Sequence, residues 1–381
     1  MPSSNPYFQR GPIKEPENFF GRAEELRRVM ACLKGMQSCA IIGERRIGKS
    51  SLLYQIAHPA TFEAYHLNPS DYLVVHINAE GLSHLTPSDF YKISLLRAAR
   101  TLDKRKDPLP DSSVLQELKS LSGQGSMTFS QFQEALESLN ALPLKITFLI
   151  DEFELIGDNP GLDREFFQGL RALASDLKVN YVTSTKRGLQ ELFSSREKGF
   201  PPFFNIFTPV YLGLLTPAEA RELITQPSQQ AGMGFEEQDI NFILELAGLH
   251  PFYLQIACFN LFEMKLQYPT LKEMDYQKVR GQFEEELEGH FQYLWESLSQ
   301  SEVELLELWV KNKWTPREQA LVNAHQRLKT FLEAVPGPAG EGYRFSSGGF
   351  RNFIEGKVAE KGNLAASPPT VRPSVVKPIP A

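Results

Sequence analysis

Gly43-Glu-Arg-Arg-Ile-Gly48-Lys49-Ser50 is the stretch that decides the fold of this 381-residue chain. It follows an apolar run, Cys39 to Ile42, and precedes a helical pattern from Ser51 to Ile56. The spacing G-x-x-x-x-G-K-S therefore falls between a strand and a helix, where a phosphate-cradling loop has to sit. The glycines let successive backbone N–H groups turn inward, and the helix start adds the positive end of its dipole. In such a loop Lys49 is expected to bridge the β- and γ-phosphates of a nucleotide, and Ser50 to ligate Mg²⁺.

Further along, Ile146-Thr-Phe-Leu-Ile150-Asp151-Glu152 is an apolar run ending in two carboxylates. Beside a phosphate-binding loop, that ending puts Asp151 next to the metal and Glu152 near the water that attacks the γ-phosphate. Glu154 reads as a solvated loop charge. Five β-rich runs stand out in all: Cys39 to Gly43, Tyr72 to Ile77, Lys145 to Asp151, Asn180 to Thr185 and Thr208 to Leu214. Near-continuous apolar strands alternating with helices indicate a parallel sheet covered on both faces, an α/β architecture. Residues 79–144 read as several helices, with breaks at Asp107 to Pro110 and Ser122 to Ser126.

Composition narrows the function. Hydrophobic residues make up 42% of the chain, enough to bury sizeable cores. Lys+Arg is 40 against Asp+Glu 46, and a net charge of -6 speaks against nucleic-acid binding by bulk charge. The three cysteines, Cys32, Cys39 and Cys258, match no metal or redox spacing and read as buried apolar residues of a reducing compartment. The seven histidines are scattered without metal-ligand spacing. No run approaches the roughly 20 apolar residues of a membrane helix, and the N-terminus lacks a signal-peptide core. These features predict a cytoplasmic protein without a membrane span.

Residues 1–18, with four prolines, read as an extended arm that carries no core, and 363–381 as a disordered tail. Residues 19–214 hold the strand–helix pattern. At Thr216-Pro-Ala-Glu219 a capping box opens a helical domain that extends over 215–298. From 299 to 362 the order is helix Ser301 to Val310, a second start at Thr315-Pro-Arg-Glu318, an apolar helix to Leu332, a Gly/Pro turn, a strand Gly342 to Phe345 and a last helix near Phe350 to Ile354. That is winged-helix order.

These residues resemble the AAA+ type of P-loop ATPase, and within it the STAND signal-transduction ATPases and related archaeal-type ATPases. The marks are Phe20-Gly21-Arg22, with Glu25-Leu26 after it; Gly43 to Leu53; Phe148 to Phe153; and Gly248-Leu-His-Pro251-Phe-Tyr-Leu254. The resemblance implies a five-stranded core, a helical lid and a winged helix, with ATP or ADP between core and lid. It implies that Phe20, Gly21 and Arg22 lie against the adenine and that Pro251 closes its other side. The loop residues Gly43, Glu44, Arg45, Arg46, Ile47, Gly48, Lys49, Ser50 and Ser51 would hold the phosphates. A polar residue ending the fourth strand, Ser184 or Thr185, resembles the sensor that orients the attacking water, with Thr185 taken as the catalytic one. Lys186 stands where many STAND members carry Arg. Arg196 is placed like an arginine finger offered to a neighbouring subunit, with Arg187 as the weaker candidate. The helix at His250-Pro251 lacks the lid arginine of AAA+ machines, which leans toward a slow switch.

Three functions compete. One is an ATP-driven switch that assembles with itself and acts through a separate effector or sensor protein. The second is a DNA-associated ATPase using its winged helix; Val322 to Lys329, with only Arg327 and Lys329 basic, does not favour it. The third is a nucleotide-dependent scaffold without turnover, against which Glu152 argues.

Overall fold

The computed structural model describes residues 4–82, 84–105, 111–194, 203–311, 313, 315, 318, 321–322, 327–337 and 340–366. The chain divides into two compact units: Met1–Ile240 with Leu249–Phe259, and Asn241–Gly248 with Asn260–Ala381.

The first unit is built on five parallel strands: β1 (Ser38–Ile42), β2 (Tyr72–Asn78), β3 (Lys145–Asp151), β4 (Val179–Thr185) and β5 (Phe207–Tyr211), in the order β2-β3-β4-β1-β5. In β1, β3 and β4 almost every residue is buried, because helices cover both faces. Pleating sends alternate side chains to opposite sides. Ala40, Ile42, Ile146, Phe148, Ile150 and Tyr181 face one core, with residues from helices Pro87–Asp103, Phe129–Ala141 and Arg164–Asp176. Cys39, Ile41, Leu149 and Val182 face the other, against helices Ala23–Lys34 and Lys49–Ala57. β1 lies between β4 and β5, with Ile42 opposite Thr185 and Tyr211, so the loop leaving β1 emerges beside the ends of both neighbours.

β5 is a sheet edge, and its residues are mostly exposed. Pro209 sits in it opposite Ala40, where a missing N–H is tolerated. The Pro209 carbonyl accepts from Arg28 Nη2 at 3.2 Å.

Between β2 and β3 the three helices Pro87–Asp103, Ser113–Ser122 and Phe129–Ala141 match the expected helical insertion. Two open with capping boxes, Thr86 with Asp89 and Thr128 with Gln131. The expected break at 107–110 lies outside the described residues. Phe203 is buried and packs against Phe153, Phe167 and Phe207, so this part of the aromatic run before β5 belongs to the core.

Two expectations of the first unit are corrected. The arm does carry a core residue, because Tyr7 is fully buried; its phenol finds both a stacking partner and two backbone partners. Cys32 is half-buried, and only Cys39 and Cys258 are buried.

In the second unit, helix Glu273–Ser297 turns Tyr276, Val279, Phe283, Leu287, Phe291 and Leu294 inward, a stripe at three- and four-residue spacing. Phe350 of the last helix, Gly348–Ala366, meets Phe291 at 5.3 Å between ring centres. Helix Gln300–Val310 opens with a Ser299/Glu302 capping box, and Trp309 Nε1 donates to the Tyr343 carbonyl at 3.0 Å. An antiparallel hairpin follows, β6 (Leu332–Gly337) and β7 (Gly340–Phe345), paired from Leu332 with Phe345 to Gly337 with Gly340. The helix expected to run to Leu332 ends at Phe331, because the chain from Leu332 pairs with β7 instead. The last helix runs to Ala366, four residues into the expected tail.

Candidate phosphate-binding site

The loop after β1 reaches helix Lys49–Ala57 through Gly48, whose φ of 107° is open to glycine and strained for other residues. Gly43 is needed for space: a Cβ there would lie 2.8 Å from the Leu212 carbonyl oxygen. Lys49 is 5% exposed, and its ammonium donates to the carbonyls of Gly43 at 3.0 Å and Glu44 at 3.1 Å. Burial lowers its pKa, against the opposing charges of Glu152, Glu154 and Asp151.

Asp151 ends β3 almost fully buried. The Ser184 hydroxyl donates to Asp151 Oδ1 and in turn accepts the Glu152 N–H at 3.2 Å. Glu152 has φ 53°, a left-handed conformation that costs a non-glycine residue energy and is held by its surroundings. Its N–H also reaches Asp151 Oδ1 at 3.1 Å, and the next N–H, of Phe153, donates to the Ser184 carbonyl at 2.8 Å. The strain thus aims the Glu152 side chain out of the sheet end. Lys186 lies 3.3 Å from a carboxylate oxygen of Glu152 and 3.3 Å from one of Glu154. Burial works to raise the Glu152 carboxyl; Lys186 and Lys49 outweigh it, and the group sits below its ordinary value.

Glu154 is not the solvated charge expected. The short helix Glu154–Gly157 folds it inward to 6% exposure, and burial, helped by the charge of Glu152, raises its pKa. The Thr185 hydroxyl donates to the Arg187 carbonyl at 3.1 Å, while Ser184 is the one that touches Asp151. Arg187 pairs with Asp158 at 2.5 Å. Arg196 lies outside the described residues.

A cavity of about 310 Å³ opens over the loop. Phe20, Arg22, Arg45 to Ser51, Glu152 and Pro251 line it among the expected residues; Gly21, Gly43, Glu44, Asp151 and Thr185 do not. Pro251 comes with Phe252 and Gln255, and residues 9–13 of the arm form a further wall. Arg22 is 3% exposed, and its guanidinium turns toward protein: Nη2 donates to the Gly213 carbonyl at 2.7 Å and the Ile47 carbonyl at 3.1 Å, with Glu25 at 3.1 Å from Nη1. It ties the loop to the segment after β5. Arg10, Arg45, Arg46 and Lys49 give the cavity a cationic lining against Glu80 and Glu152, the polarity a polyphosphate needs. The Ser50 hydroxyl and the Asp151 carboxylate are hard oxygen donors that fit Mg²⁺, which keeps waters and phosphate oxygens in its other positions.

Sequence reasoning missed Ser184 as the carboxylate's partner, Lys186 as the ion-pair partner of Glu152, and the arm. Lys186 directly follows β4, a position that signals proximity to the end of β3; nothing in the sequence signalled the arm except an aromatic pair, Tyr7-Phe8, among prolines.

No curated protein matches this sequence. Among solved structures, a Walker-type ATPase of Pyrococcus abyssi aligns with a TM-score of 0.61 at 17% identity, covering 92% of this chain and 99% of that one. The ORC2 protein of Aeropyrum pernix, in its ADPNP–ADP complexes, aligns with a TM-score of 0.53 at 13% identity, covering 95% and 99%. At these identities the likeness is one of fold, a P-loop ATPase of AAA+ architecture. The family described as novel STAND NTPase 2 matches residues 34–312, and with the phosphate loop and its carboxylates inside that span, the chain belongs to the novel STAND NTPase 2 family.

Proposed function

We propose that this protein binds ATP and hydrolyses it with Mg²⁺, and that its nucleotide state sets its conformation and its assembly with further copies or a separate effector. The observation that carries the reading is the pairing in one cavity of a phosphate loop with a buried lysine and a carboxylate held out by a strained backbone: Lys49, and Glu152 at φ 53°. Lys49 and the loop N–H groups would hold the phosphates, and Phe20 with Pro251 would flank the base. Ser50 and Asp151 would hold Mg²⁺, which when bound neutralises charge on the phosphate oxygens. Glu152 accepts the proton of the attacking water, and its lowered carboxyl keeps it ionised for that work at neutral pH. Ser184 fixes Asp151 and the Glu152 backbone together and so orients both. Arg196 remains the finger proposed for a neighbouring copy.

The test is ADP release by purified protein, alongside Glu152→Gln. Wild-type turnover that falls roughly 100-fold or more in the variant, with nucleotide binding kept, is expected of a general base. Equal turnover in both proteins would remove Glu152 from the chemistry, and binding without turnover in the wild type would leave a scaffold. Light scattering of Glu152→Gln with ATP, with ADP and without nucleotide then reads the switch: a larger species with ATP alone is the expected result.

A further inference from the structure

The arm is fastened on both sides of the cavity it borders. On one side, Tyr7 is inserted into helix Pro217–Gln230. Its hydroxyl donates to the Ile224 carbonyl and accepts the Ser228 N–H at 3.1 Å. Those two backbone groups are four residues apart and would bond to each other in an unbroken helix. Pro227, just before Ser228, lacks an N–H, so this part of the helix has one backbone bond fewer than a regular turn. The Tyr7 ring stacks on Phe235 at 5.8 Å. Asn5 braces the same turn of chain, accepting the Tyr7 N–H at 3.0 Å and donating to the Phe259 carbonyl at 3.0 Å.

On the other side, the phosphate loop holds the arm. Arg46, itself at φ 67°, donates to the Arg10 carbonyl at 2.6 Å and lies over the Phe252 ring at 4.7 Å. The Ser51 hydroxyl accepts the Ile13 N–H at 3.0 Å. Between these anchors, residues 9–13 form a wall of the cavity.

Resting on the reading of the cavity as a nucleotide site, we infer that Tyr7 is a positioning residue that latches the arm across the bound nucleotide and sets how long the nucleotide stays. A nucleotide leaving past residues 9–13 must displace a segment pinned at both ends. Freeing the Tyr7 end breaks two buried hydrogen bonds and leaves a helix turn, already deprived of one bond by Pro227, without its insert. Burial raises the phenol's pKa, so the hydroxyl keeps its proton and the latch does not loosen as pH rises.

Stopped-flow release of a fluorescent ADP analogue from the full chain tests this. Tyr7→Ala, and separately deletion of residues 2–13, should each speed release at least tenfold, while Tyr7→Phe, which keeps the stack on Phe235, should speed it less. A synthetic peptide of residues 2–14 added to the deletion variant should slow release again, a rescue that general loosening of the fold would not give. Hydrogen exchange at the Ser228 amide should quicken in Tyr7→Phe. Release within twofold of wild type in both Tyr7→Ala and the deletion, in protein that binds the analogue, overturns the latch and leaves the nucleotide site standing. Wild-type protein that fails to bind the analogue overturns the nucleotide reading, and the latch with it.

Discussion

Lys186 serves two carboxylates that differ in their need for it: Glu152 is held ionised, whereas burial pushes Glu154 toward its neutral form. A carboxyl whose pKa is raised on folding binds its proton more tightly in the folded state, so it makes stability fall as pH rises from the unfolded value through the folded one. Glu154→Gln removes that dependence. The variant should melt above wild type at pH 8, with the gap narrowing toward pH 4; a gap that widens on acidification would contradict the assignment. Cys32 supplies a second test. A hydrogen bond from Cys39 lowers its thiol to about 6, while Cys39 and Cys258 are buried with raised values. Thiolate therefore accumulates at Cys32 above that pH, and iodoacetamide at pH 7 should label Cys32 and spare the other two, as read by peptide mass spectrometry. At this scale the placement of Lys49 at the helix start and of Asp151 and Glu152 at the end of β3 was legible, because fixed spacing ties them to a strand–loop–helix and a strand end. Glu154, Ser184 and Cys32 were not, since their roles depend on which way a single turn or strand end points.

Strands were legible from runs of apolar residues, and helices from their caps; β3 was expected over the range it occupies, and the Thr216/Glu219 capping box forms as read. The hairpin at the end of the chain was half legible. β7 was read from its residues, but β6 was not read as a strand: Leu332 was given to the preceding helix and Pro336 onward to a Gly/Pro turn, because Leu332 to Val335 has no strand character until it pairs. Glycines explain where elements can meet. Gly248, at φ 62°, ends helix Glu237–Ala247, and a Cβ there would fall 1.5 Å from the Ser346 carbonyl oxygen, a backbone atom that cannot swing aside. Gly248→Ala combines a strained dihedral with that overlap, so it should cost about 3 kcal/mol or more and lower the melting temperature by several degrees. A variant that melts with wild type would show that the Ser346 segment is not held against that helix end.

The sheet's strand order was out of reach of a sequence reading, because adjacency in a parallel sheet is set by crossovers between distant segments, and the two-unit division splits the lid helices expected as one domain. Among the described residues no helix is long and apolar enough to cross a membrane. With a net charge of -6, duplex DNA at physiological salt should produce no anisotropy change at micromolar protein, where a DNA-reading relative would show salt-dependent binding. The self-assembly proposed above would be another property of the whole molecule, and β5 limits the form it could take at one edge of the sheet. At Pro209 the outer edge of the sheet has no N–H to offer, and Arg28 already occupies its carbonyl. The β5 edge is thus poorly suited to extension by a strand from another molecule, while β2 forms the sheet's other edge. If copies of this chain gather on ATP, those that approach the β5 side would meet through helices and loops, and strand-to-strand growth of the cross-β kind is disfavoured at that edge.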